Sequence, residues 1–269
     1  MRLATWNVNS IRSRIDRVES WLTRNEVDVL ALQESKAKDS QFPYERLRDA
    51  GYDVAHHGLN QWNGVAILSR VGLTDVEVGF PGVPAWGEPP QIEARAIGAT
   101  VGAGEDAVRL WSLYVPNGRH LNDPHMDYKI AWLSALKNEA SRWAADPLPV
   151  ALCGDWNIAP RDEDVWSMEF YADKSHVSPR ERAAYGAFLT EAGLVDVVRP
   201  HAPGPGVYTY WDYQQLRFAK RQGMRIDFIL GSAPFAARVH GAAIDREERK
   251  GKGASDHAPV VVELSGAGR

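Results

Sequence analysis

Five segments of the chain place a carboxylate, an amide or an imidazole at the end or the start of an apolar run. They are Thr5-Trp6-Asn7, Leu32-Gln33-Glu34, Gly154-Asp155-Trp156-Asn157, Arg225-Ile226-Asp227 and Ser255-Asp256-His257. A carboxylate beside a buried strand costs free energy unless it is paired or binds a metal. One such position is common, whereas a whole set indicates strands that carry ligands to a single point. The set therefore predicts a metal-dependent hydrolase.

The most specific of these segments is Gly154-Asp155-Trp156-Asn157, which follows the apolar run 150–153. A glycine at the end of a buried strand allows a tight turn and leaves room for a substrate beside Asp155. Two residues later, the Asn157 amide is placed to donate to a phosphate oxygen or to an attacking water. An ordinary Asx turn after a strand is the alternative, and this segment alone does not decide between the two.

Asn7 and Glu34 each end an apolar run in the same way. Oxygen ligands of this kind suit Mg²⁺ or Mn²⁺ and not a soft metal. For Glu34 taken alone, a helix-capping or surface glutamate is the alternative. Zinc is disfavoured because no two histidines have helical or finger spacing, and His56 and His57 point to opposite faces of a predicted strand.

Asp227 lies inside the apolar run 224–230, so we expect it to be buried and to need a partner. His257 is the expected partner. An aspartate that accepts from one ring nitrogen fixes the tautomer and leaves the other nitrogen facing a substrate. Asp256, the preceding residue, is a candidate metal ligand at the mouth of a sheet. A plain turn before a strand is the alternative for this Asp-His pair.

Two further segments are candidates for contact with a phosphate-bearing substrate. Tyr114 ends a predicted strand and is followed by Asn117 and Arg119, although the proline and glycine between them also fit a simple turn. The segment 208–225 interleaves aromatic residues with arginine and lysine, a composition typical of base stacking and phosphate contacts. Core aromatics followed by a solvated loop are the alternative for this second segment.

The elements that must position these residues are a mixture of strands and helices. Hydrophobic periodicity and turn residues predict strands over 2–8, 27–33, 52–56, 64–69, 92–100, 108–115, 150–153, 208–211, 225–230 and 259–264. Helices are predicted from residue 10, over 43–50 and 125–143, and after the capping box Ser178-Pro179-Arg180-Glu181. This number of strands suits an α/β protein with two sheets packed face to face and helices outside. No segment has the composition of an interdomain linker, so one domain over 1–269 is predicted.

The sequence composition limits the cellular compartment in which the protein is expected. No apolar run approaches the roughly 18 residues that would span a bilayer. We expect no signal peptide, because the first residues read as strand-like sequence. The lone cysteine, Cys153, lies in an apolar run, so we expect a buried thiol, no intrachain disulfide and a reducing cytosol.

The net charge of −4 argues against a nucleic-acid partner when taken as a total. A bound cation would neutralise several of the acidic groups, however, and the basic residues are unevenly distributed. They are concentrated in the segment 213–226 (Arg217, Lys220, Arg221, Arg225) and near the C-terminus (Arg249, Lys250, Lys252). Phosphate contacts depend on one basic face and not on the total charge.

The ordered set of motifs resembles the exonuclease III family of apurinic/apyrimidinic (AP) endonucleases, within the endonuclease/exonuclease/phosphatase superfamily that includes DNase I. The matching segments are Asn7, Gln33-Glu34-Ser35-Lys36, Tyr114-Val115-Pro116-Asn117-Gly118, Gly154-Asp155-Trp156-Asn157-Ile158-Ala159-Pro160, Ser178-Pro179-Arg180-Glu181-Arg182, Tyr208-Thr209-Tyr210-Trp211-Asp212-Tyr213, Arg225-Ile226-Asp227 and Ser255-Asp256-His257. They span essentially the whole chain and occur in the family's order.

This resemblance implies a DNase I-like, four-layer α/β sandwich, in which two packed mixed β-sheets are flanked by helices. It implies a nuclease that uses Mg²⁺ or Mn²⁺ to hydrolyse phosphodiesters 5′ to abasic sites and to degrade or trim the 3′ ends of duplex DNA. The expected partner is double-stranded DNA with abasic sites or blocked 3′ ends, and the protein is expected to act without a membrane, as a cytoplasmic monomer.

The resemblance also implies roles for individual residues. Glu34 looks like the main metal ligand, and the other implied ligands are Asn7, Asp155, Asn157 and Asp256. Asp155 resembles the acid/base group, Asn157 resembles the residue that orients water or a phosphate oxygen, and Tyr114 resembles the active-site tyrosine. Asp227 and His257 look like the pair that contacts the scissile phosphate.

The implied DNA contacts are Asn117, Arg119, Tyr210, Trp211, Met224 and Ile226. Arg119 is the candidate to enter the duplex, while Tyr210, Trp211 and Ile226 resemble the apolar wall of the abasic-sugar pocket. Met224 stands where some relatives have tryptophan, which leaves the selectivity of that pocket open.

Two other functions share parts of this pattern. A phosphatase of inositol phosphates or lipids from the same superfamily would use the same Asp-His and Gly-Asp-x-Asn chemistry, and the segment 208–225 is what distinguishes the two. A catalytically inactive DNA-binding relative would keep the fold, but it would also have to tolerate buried carboxylates that serve no purpose.

Overall fold

Twelve strands and six helices occur along residues 1–266, the part of the chain that the computed structural model describes. The strands are β1 (Arg2–Asn7), β2 (Val29–Gln33), β3 (Asp53–His57), β4 (Val65–Ser69), β5 (Leu73–Val78), β6 (Ala96–Val101), β7 (Val108–Tyr114), β8 (Val150–Asp155), β9 (Val195–Asp196), β10 (Asp227–Gly231), β11 (Val239–Ile244) and β12 (Val260–Leu264). The helices are α1 (Ile11–Arg24), α2 (Tyr44–Asp49), α3 (Pro124–Ala144), α4 (Met168–Tyr171), α5 (Pro179–Thr190) and α6 (Ala233–Ala236).

The strands form two six-stranded mixed sheets. The first has the order β11-β12-β1-β2-β4-β3 and the second has the order β5-β6-β7-β8-β10-β9. In each sheet one parallel pair lies at the centre, β1 with β2 and β7 with β8. The neighbouring strands of these pairs run antiparallel, as β12 does beside β1 and β10 does beside β8.

Each sheet buries both of its faces, which explains why its central strands are almost uninterrupted apolar runs. Along β1, Leu3 faces the space between the sheets, while Ala4 and Trp6 face the helical side, as the alternation of a strand requires. The buried apolar face of α1 packs against the first sheet, and α3 and α5 pack against the second. Helix, sheet, sheet and helix are therefore four layers, and the predicted architecture is confirmed.

Local sequence signals account for the ends of the main helices. Ile11, Ile15, Val18 and Leu22 of α1 are buried, as their spacing predicts. The predicted capping box of α5 is confirmed, because Ser178 Oγ accepts from the Glu181 N–H at 3.3 Å and Glu181 Oε2 accepts from the Ser178 N–H at 3.2 Å. Cys153 is a free, buried thiol within β8.

The structure corrects the prediction at several strands. The predicted strand over 208–211 is wrong, because Tyr210 forms only isolated bridges to Met224 and His257. The predicted strand over 92–100 begins at Ala96, since the Arg95 N–H turns back to the Glu93 carbonyl. Strands β5, β9 and β11 have no counterpart in the prediction; β5 is an exposed edge strand and β9 has only two residues. Within residues 1–266, no helix combines the length and the apolar character needed to cross a membrane.

The topology brings the ends of four central strands to one rim of the molecule. Asn7 ends β1 beside Gln33 of β2, and Tyr114 ends β7 beside Asp155 of β8. Because β10 is antiparallel to β8, its first residue, Asp227, also pairs with Asp155. Carboxyl ends of parallel strands meet at one edge of a sheet, which is where ligands commonly bind in α/β proteins.

A close approach of two backbones makes glycine necessary immediately before Asp155. Gly154 has a φ of +152°, and a Cβ on this residue would lie 1.9 Å from the Leu113 carbonyl oxygen of β7. We expect Gly154→Ala to lower the free energy of unfolding by about 2–4 kcal/mol, as measured by chemical denaturation.

Gly186→Ala is the matched control for this substitution. Gly186 lies inside α5 and has no atom within 4 Å of its virtual Cβ, so alanine should stabilise the helix by about 0.5–1 kcal/mol. Equal stability of the Gly154→Ala variant and the wild type would refute the steric argument.

Candidate active site

Side chains from both sheets converge at the rim formed by the ends of β1, β2, β8 and β10. The Asn7 Nδ2 group donates to Glu34 Oε1 at 2.8 Å and to Asp155 Oδ2 at 3.0 Å. Asn7 and Glu34 belong to the first sheet and Asp155 to the second, so one amide connects the two sheets. Ser255 Oγ donates to the Asn7 carbonyl at 2.7 Å and thereby fixes the start of the 255–257 segment.

His257 lies between two carboxylates of the second sheet. Its Nδ1 is 2.9 Å from Asp227 Oδ2, and its Nε2 is 3.6 Å from Asp155 Oδ2. Burial alone would lower the pKa of His257, but Asp227 and Asp155 together raise it to about 10. The ring is therefore an imidazolium at neutral pH, with both N–H groups available as donors. The predicted pairing of Asp227 with His257 is confirmed in its geometry.

Asp155 is buried at the centre of this group. Burial raises the pKa of Asp155, His257 lowers it, and the Asp227 and Glu34 carboxylates raise it, with a net value of about 7. Its Oδ1 accepts from the Asn157 N–H at 2.9 Å. A carboxyl group with a pKa near neutrality is suited to proton transfer at physiological pH.

Glu34 is held by a cation and an amide. Its Oε2 is 2.8 Å from Lys36 Nζ, and its Oε1 accepts from Asn7. Burial acts to raise the pKa of Glu34, but Lys36 and Asn7 hold it below its ordinary value, so the group is a carboxylate. Asp256 is connected to this group indirectly, through Asn9, whose Nδ2 donates to Asp256 Oδ1 at 3.0 Å and whose Oδ1 accepts from Lys36 Nζ at 2.5 Å.

The donor set fits a hard divalent cation. One ligand atom from each of Glu34, Asp155 and His257 lies within 4.8 Å of the other two. Since both nitrogens of His257 are directed at carboxylates, the ligands that remain are oxygens, which is the preference of Mg²⁺ and Mn²⁺. Asp256 is outside this group of three, and its predicted role as a ligand stays a prediction.

The segment that carries Glu34 is supported from behind by a buried histidine. Ser35 Oγ and His56 Nε2 are 2.8 Å apart, and His56 Nδ1 lies 2.8 Å from Asp39 Oδ1. Burial lowers the pKa of His56 to about 4, so the ring is neutral. This order of serine, histidine and aspartate is that of a hydrolytic triad. Ser35 has no exposed surface, however. The contacts of Ser35, His56 and Asp39 therefore support the turn that carries Glu34 and do not form a second nucleophilic site.

Tyr114 ends β7 next to the acidic group. The guanidinium carbon of Arg95 lies 4.8 Å from the centre of its ring. Burial and the nearby Glu34 carboxylate raise the pKa of Tyr114 well above its ordinary value. The phenol is therefore protonated and can act as a hydrogen-bond donor at the rim.

Asn157 makes most of its hydrogen bonds within the protein. Its Nδ2 donates to the Val115 carbonyl at 2.9 Å, and its Oδ1 accepts from Asn117 Nδ2 at 3.1 Å. His176 Nε2 lies 3.2 Å from the same Oδ1 atom. Sequence reasoning missed His176, because no periodicity or motif marks it; its one signal is its position two residues before the capping box of α5.

A buried ion pair fixes the backbone of this asparagine cluster. Lys129 and Glu181 both have side chains with no exposed surface, and Lys129 Nζ donates to Glu181 Oε1 at 2.5 Å. The same ammonium group donates to the carbonyls of Asn157 at 2.6 Å and Asn117 at 3.2 Å. Glu181 in turn accepts from the His176 N–H at 2.9 Å. Sequence reasoning missed Lys129, since a lysine within an amphipathic helix resembles an ordinary surface residue.

The predicted DNA-contact residues divide into exposed and buried groups. Arg119 is exposed, and its guanidinium carbon is 6.0 Å from the Trp86 ring centre. The Tyr210 ring is partly exposed and lies 4.9 Å from the His257 ring. Trp211, Met224 and Ile226 are only 1%, 4% and 2% exposed, so at most their edges are accessible to a substrate.

Part of the predicted basic face is internal. Arg225 is 1% exposed and its Nη2 donates to both oxygens of Asp196, while Arg249 is 9% exposed and donates to the Trp211 carbonyl. These two guanidinium groups balance internal acceptors and are not free to bind phosphate. Lys220 and Arg221 remain exposed.

Known proteins share this fold and this sequence pattern along the whole chain. The profile of the Endonuclease/Exonuclease/phosphatase family matches residues 4–257. The chain is 29% identical to exodeoxyribonuclease III of Haemophilus influenzae, over 98% of this chain and 100% of that protein.

Two solved structures are similar in both fold and sequence. One is the 3′ phosphatase NExo from Neisseria bound to a product DNA hairpin, with a TM-score of 0.92 and 36% identity over 98% of this chain and 99% of that one. The other is an AP endonuclease from Archaeoglobus fulgidus, with a TM-score of 0.89 and 34% identity over 98% of this chain and 99% of that one.

The internal ion pair supports a prediction about stability. Lys129→Met should lower the free energy of unfolding by about 3–5 kcal/mol, because it leaves the buried Glu181 carboxylate without a cation to balance its charge. Lys137→Met on the same helix is the control: Lys137 pairs with Glu191, whose side chain is 60% exposed, so its loss should cost at most about 1 kcal/mol. Equal losses for the two variants in urea denaturation would contradict this assignment.

His125, at the start of α3, supports a prediction about pH. Its Nδ1 accepts from the Gly118 N–H at 3.1 Å, and burial, with Arg95 and Arg119 nearby, lowers the pKa of His125 to about 4. In the unfolded chain this histidine takes up a proton near pH 6.5, whereas in the folded protein it does so only near pH 4. Protonation therefore favours the unfolded chain. The contribution of neutral His125 to the free energy of unfolding is complete above pH 6.5 and is lost as the pH falls to about 4.

The expected change is about 1–3 kcal/mol over this range, and His125→Asn should remove it while retaining an oxygen acceptor for the Gly118 N–H. Urea denaturation at a series of pH values measures this. Replacement of exposed His240 by asparagine is the control. A pH dependence that is unchanged in the His125→Asn variant would contradict the assignment.

Proposed function

The chain belongs to the endonuclease/exonuclease/phosphatase family, and we propose that it is a DNA repair nuclease that uses Mg²⁺ or Mn²⁺ to hydrolyse phosphodiesters 5′ to abasic sites and to trim 3′ ends. It is a phosphodiester hydrolase of the exonuclease III type, as its motifs predict. The observation that carries the proposal is the convergence of Asn7, Glu34, Asp155, Asp227 and His257 at one rim, on a fold shared with exodeoxyribonucleases and AP endonucleases.

In this proposal the cation is held by oxygen atoms of Glu34, Asn7 and Asp155, with Asp256 and Asn157 as further ligands. When bound, it neutralises the negative charge that builds up on the scissile phosphate. The supporting observation is chemical: Glu34 is a carboxylate at neutral pH and lies beside a second acidic group and an amide.

The remaining steps belong to side chains of the rim. Asp155, buried beside the His257 ring, takes the proton of the attacking water. The imidazolium of His257, fixed by Asp227, donates its Nε2–H to a phosphate oxygen. Asn157 orients the water or a phosphate oxygen, and the protonated phenol of Tyr114 supports the leaving oxygen.

The DNA surface in this proposal surrounds the rim. Asn117 and Arg119 follow β7, the Tyr210 ring lies against His257 and packs with Met224 and Ile226, and Trp211 follows Tyr210 in the chain. All of these residues come from one chain, which supports action as a monomer. The reduced, buried Cys153 is compatible with the cytoplasm.

The substrate includes both abasic sites and 3′ ends, because relatives of each kind are about equally similar. The Neisseria protein is a 3′ phosphatase and 3′-5′ exonuclease, and the Archaeoglobus protein is an AP endonuclease. Inositol phosphates and lipids are disfavoured as substrates, because the similar proteins named above act on DNA. An inactive relative is disfavoured because the whole polar set is retained.

A cleavage assay tests the proposal. The protein should cleave a duplex with one abasic site, a blunt duplex and a duplex with a 3′-phosphate when Mg²⁺ is present, and excess EDTA should abolish all three reactions. Asp155→Asn should reduce kcat by about 10²–10⁴-fold, because a general base is lost. Undiminished cleavage in excess EDTA would rule the mechanism out.

The control variant is Asp49→Asn, in which an exposed aspartate of α2 is changed in the same way. It should cleave at the wild-type rate. Circular dichroism of the Asp155→Asn variant should match that of the wild type, so that a loss of rate reports on chemistry and not on folding.

A further inference from the structure

Thr209 lies between the two segments that carry Asp227 and His257. It has no exposed surface, and it belongs to the segment 208–211, which forms isolated bridges and no strand. In a strand, the ladder of backbone hydrogen bonds fixes the position of each residue. Here individual hydrogen bonds have to do so, and several of them come from Thr209.

The hydroxyl of Thr209 binds the backbone at the start of β10. Its Oγ1 atom accepts from the Ile226 N–H and from the Asp227 N–H, both at 3.1 Å, and both hydrogen bonds are buried. A buried N–H without an acceptor costs free energy. One side-chain oxygen thus satisfies two consecutive donors, the second of which belongs to the residue whose carboxylate meets His257.

This hydroxyl stands where a neighbouring strand would otherwise pair with β10. On one side of β10, Asp227 pairs with Asp155 of β8. On the other side, β9 has only two residues, and they pair with Leu230 and Gly231 at the far end of β10. Within residues 1–266, the start of β10 therefore has no strand neighbour on the side where Thr209 lies.

The backbone of Thr209 holds the segment that carries His257. Its carbonyl accepts from the Ala258 N–H at 2.7 Å. The next residue, Tyr210, forms an isolated bridge with His257, and the centres of their rings are 4.9 Å apart. Since residues 257–258 lead into β12 of the first sheet, and Asp227 begins β10 of the second, Thr209 is bonded to both sheets.

These contacts bear on the geometry of the Asp227–His257 pair. The carboxylate and the ring are carried by different sheets, and His257 Nδ1 lies 2.9 Å from Asp227 Oδ2. A hydrogen bond of this length is sensitive to small displacements of either partner. A residue that is bonded to the backbone beside both partners is therefore in a position to set their separation.

We propose that Thr209 is a positioning residue for His257: its hydroxyl holds the Asp227 backbone and its carbonyl holds the Ala258 backbone, so that the Asp227 carboxylate meets the His257 ring. This inference rests on the proposed function, in which the Nε2–H of His257 donates to the scissile phosphate. Thr209 itself is fully buried and acts through the pair. Its loss should displace a donor that acts on the transition state, and should therefore lower kcat more than it raises KM.

Four variants separate the hydroxyl from the shape of the side chain. Thr209→Val keeps the branched shape and removes the acceptor, whereas Thr209→Ser keeps the acceptor. Thr209→Ala removes the same oxygen with less crowding of the two N–H groups, and it replaces Thr209→Val if that variant does not fold. Ser232→Ala is the matched control, because Ser232 is equally buried and its Oγ accepts from the Val150 N–H at 3.0 Å, at the other end of β8 and β10.

Proton NMR of the free protein, in EDTA and at one neutral pH, tests the geometry without a substrate. A ring N–H that is hydrogen-bonded to a carboxylate gives a resonance downfield of the amide protons, and the His257 resonance is the one that is missing from a His257→Gln variant. We expect this resonance at its wild-type position in Thr209→Ser and Ser232→Ala. In Thr209→Val it should be shifted or lost.

Cleavage of a duplex with a 3′-phosphate in Mg²⁺ tests the effect on the reaction. Thr209→Val should lower kcat by about 10- to 100-fold with little change in KM, because a small misplacement of a group that acts on the transition state is costly. Thr209→Ser should keep most of the wild-type kcat. Ser232→Ala should be less stable than the wild type in urea and still keep its kcat, which separates the loss of a buried acceptor from the loss of geometry.

A wild-type resonance or a wild-type kcat in Thr209→Val, or in Thr209→Ala where it replaces that variant, would overturn the positioning role alone. A loss of kcat in Thr209→Ser as large as that in Thr209→Val would also overturn it, because the hydroxyl would then be irrelevant. A wild type that cleaves no DNA would overturn the proposed function. The NMR comparison would still decide, in that case, whether Thr209 sets the geometry of the pair.

Discussion

One imidazolium joins the two sheets of this protein at the rim where its polar side chains meet. His257 lies on the segment that enters the first sheet, while its partners Asp227 and Asp155 belong to the second. A buried carboxylate is costly without a partner, so these three groups stabilise one another as a set. The Asn7 amide, bonded to Glu34 and Asp155, makes a second connection across the same gap. The candidate site is thus also part of what holds the sandwich together.

The chemistry of the rim follows from this arrangement. Burial makes the ionised form of Asp155 costly in free energy, and the pKa of Asp155 is therefore raised to about 7. The carboxylates of Asp227 and Asp155, which need a partner, in turn keep His257 charged. A base and a hydrogen-bond donor therefore arise from one set of contacts. Behind them, the Lys129–Glu181 pair fixes the carbonyls of Asn117 and Asn157, which lie in the loops after β7 and β8. This extends the site well beyond the residues that would touch a substrate.

Much of this could be predicted from the sequence, for identifiable reasons. The apolar runs that end in Asn7, Glu34 and Asp155 predict central strands, and parallel pairing then brings their ends together. The pairing of Asp227 with His257 follows from the cost of a buried charge. Composition cannot distinguish an aromatic or a guanidinium in a groove from one in the interior, and Trp211 and Arg225 are both buried. Lys129 and His176 were missed because their partners are distant in sequence and lie on different elements.

The central claim is that carboxylate and amide oxygens from both sheets surround one divalent cation at this rim. Anomalous diffraction from a crystal soaked in Mn²⁺ measures this most directly. The account predicts a single strong peak within about 2.5 Å of the Glu34 carboxylate, with Asn7 and Asp155 adjacent to it. A strong peak elsewhere, for example at the surface acidic residues Asp162 and Glu163, with none at Glu34, would contradict the account.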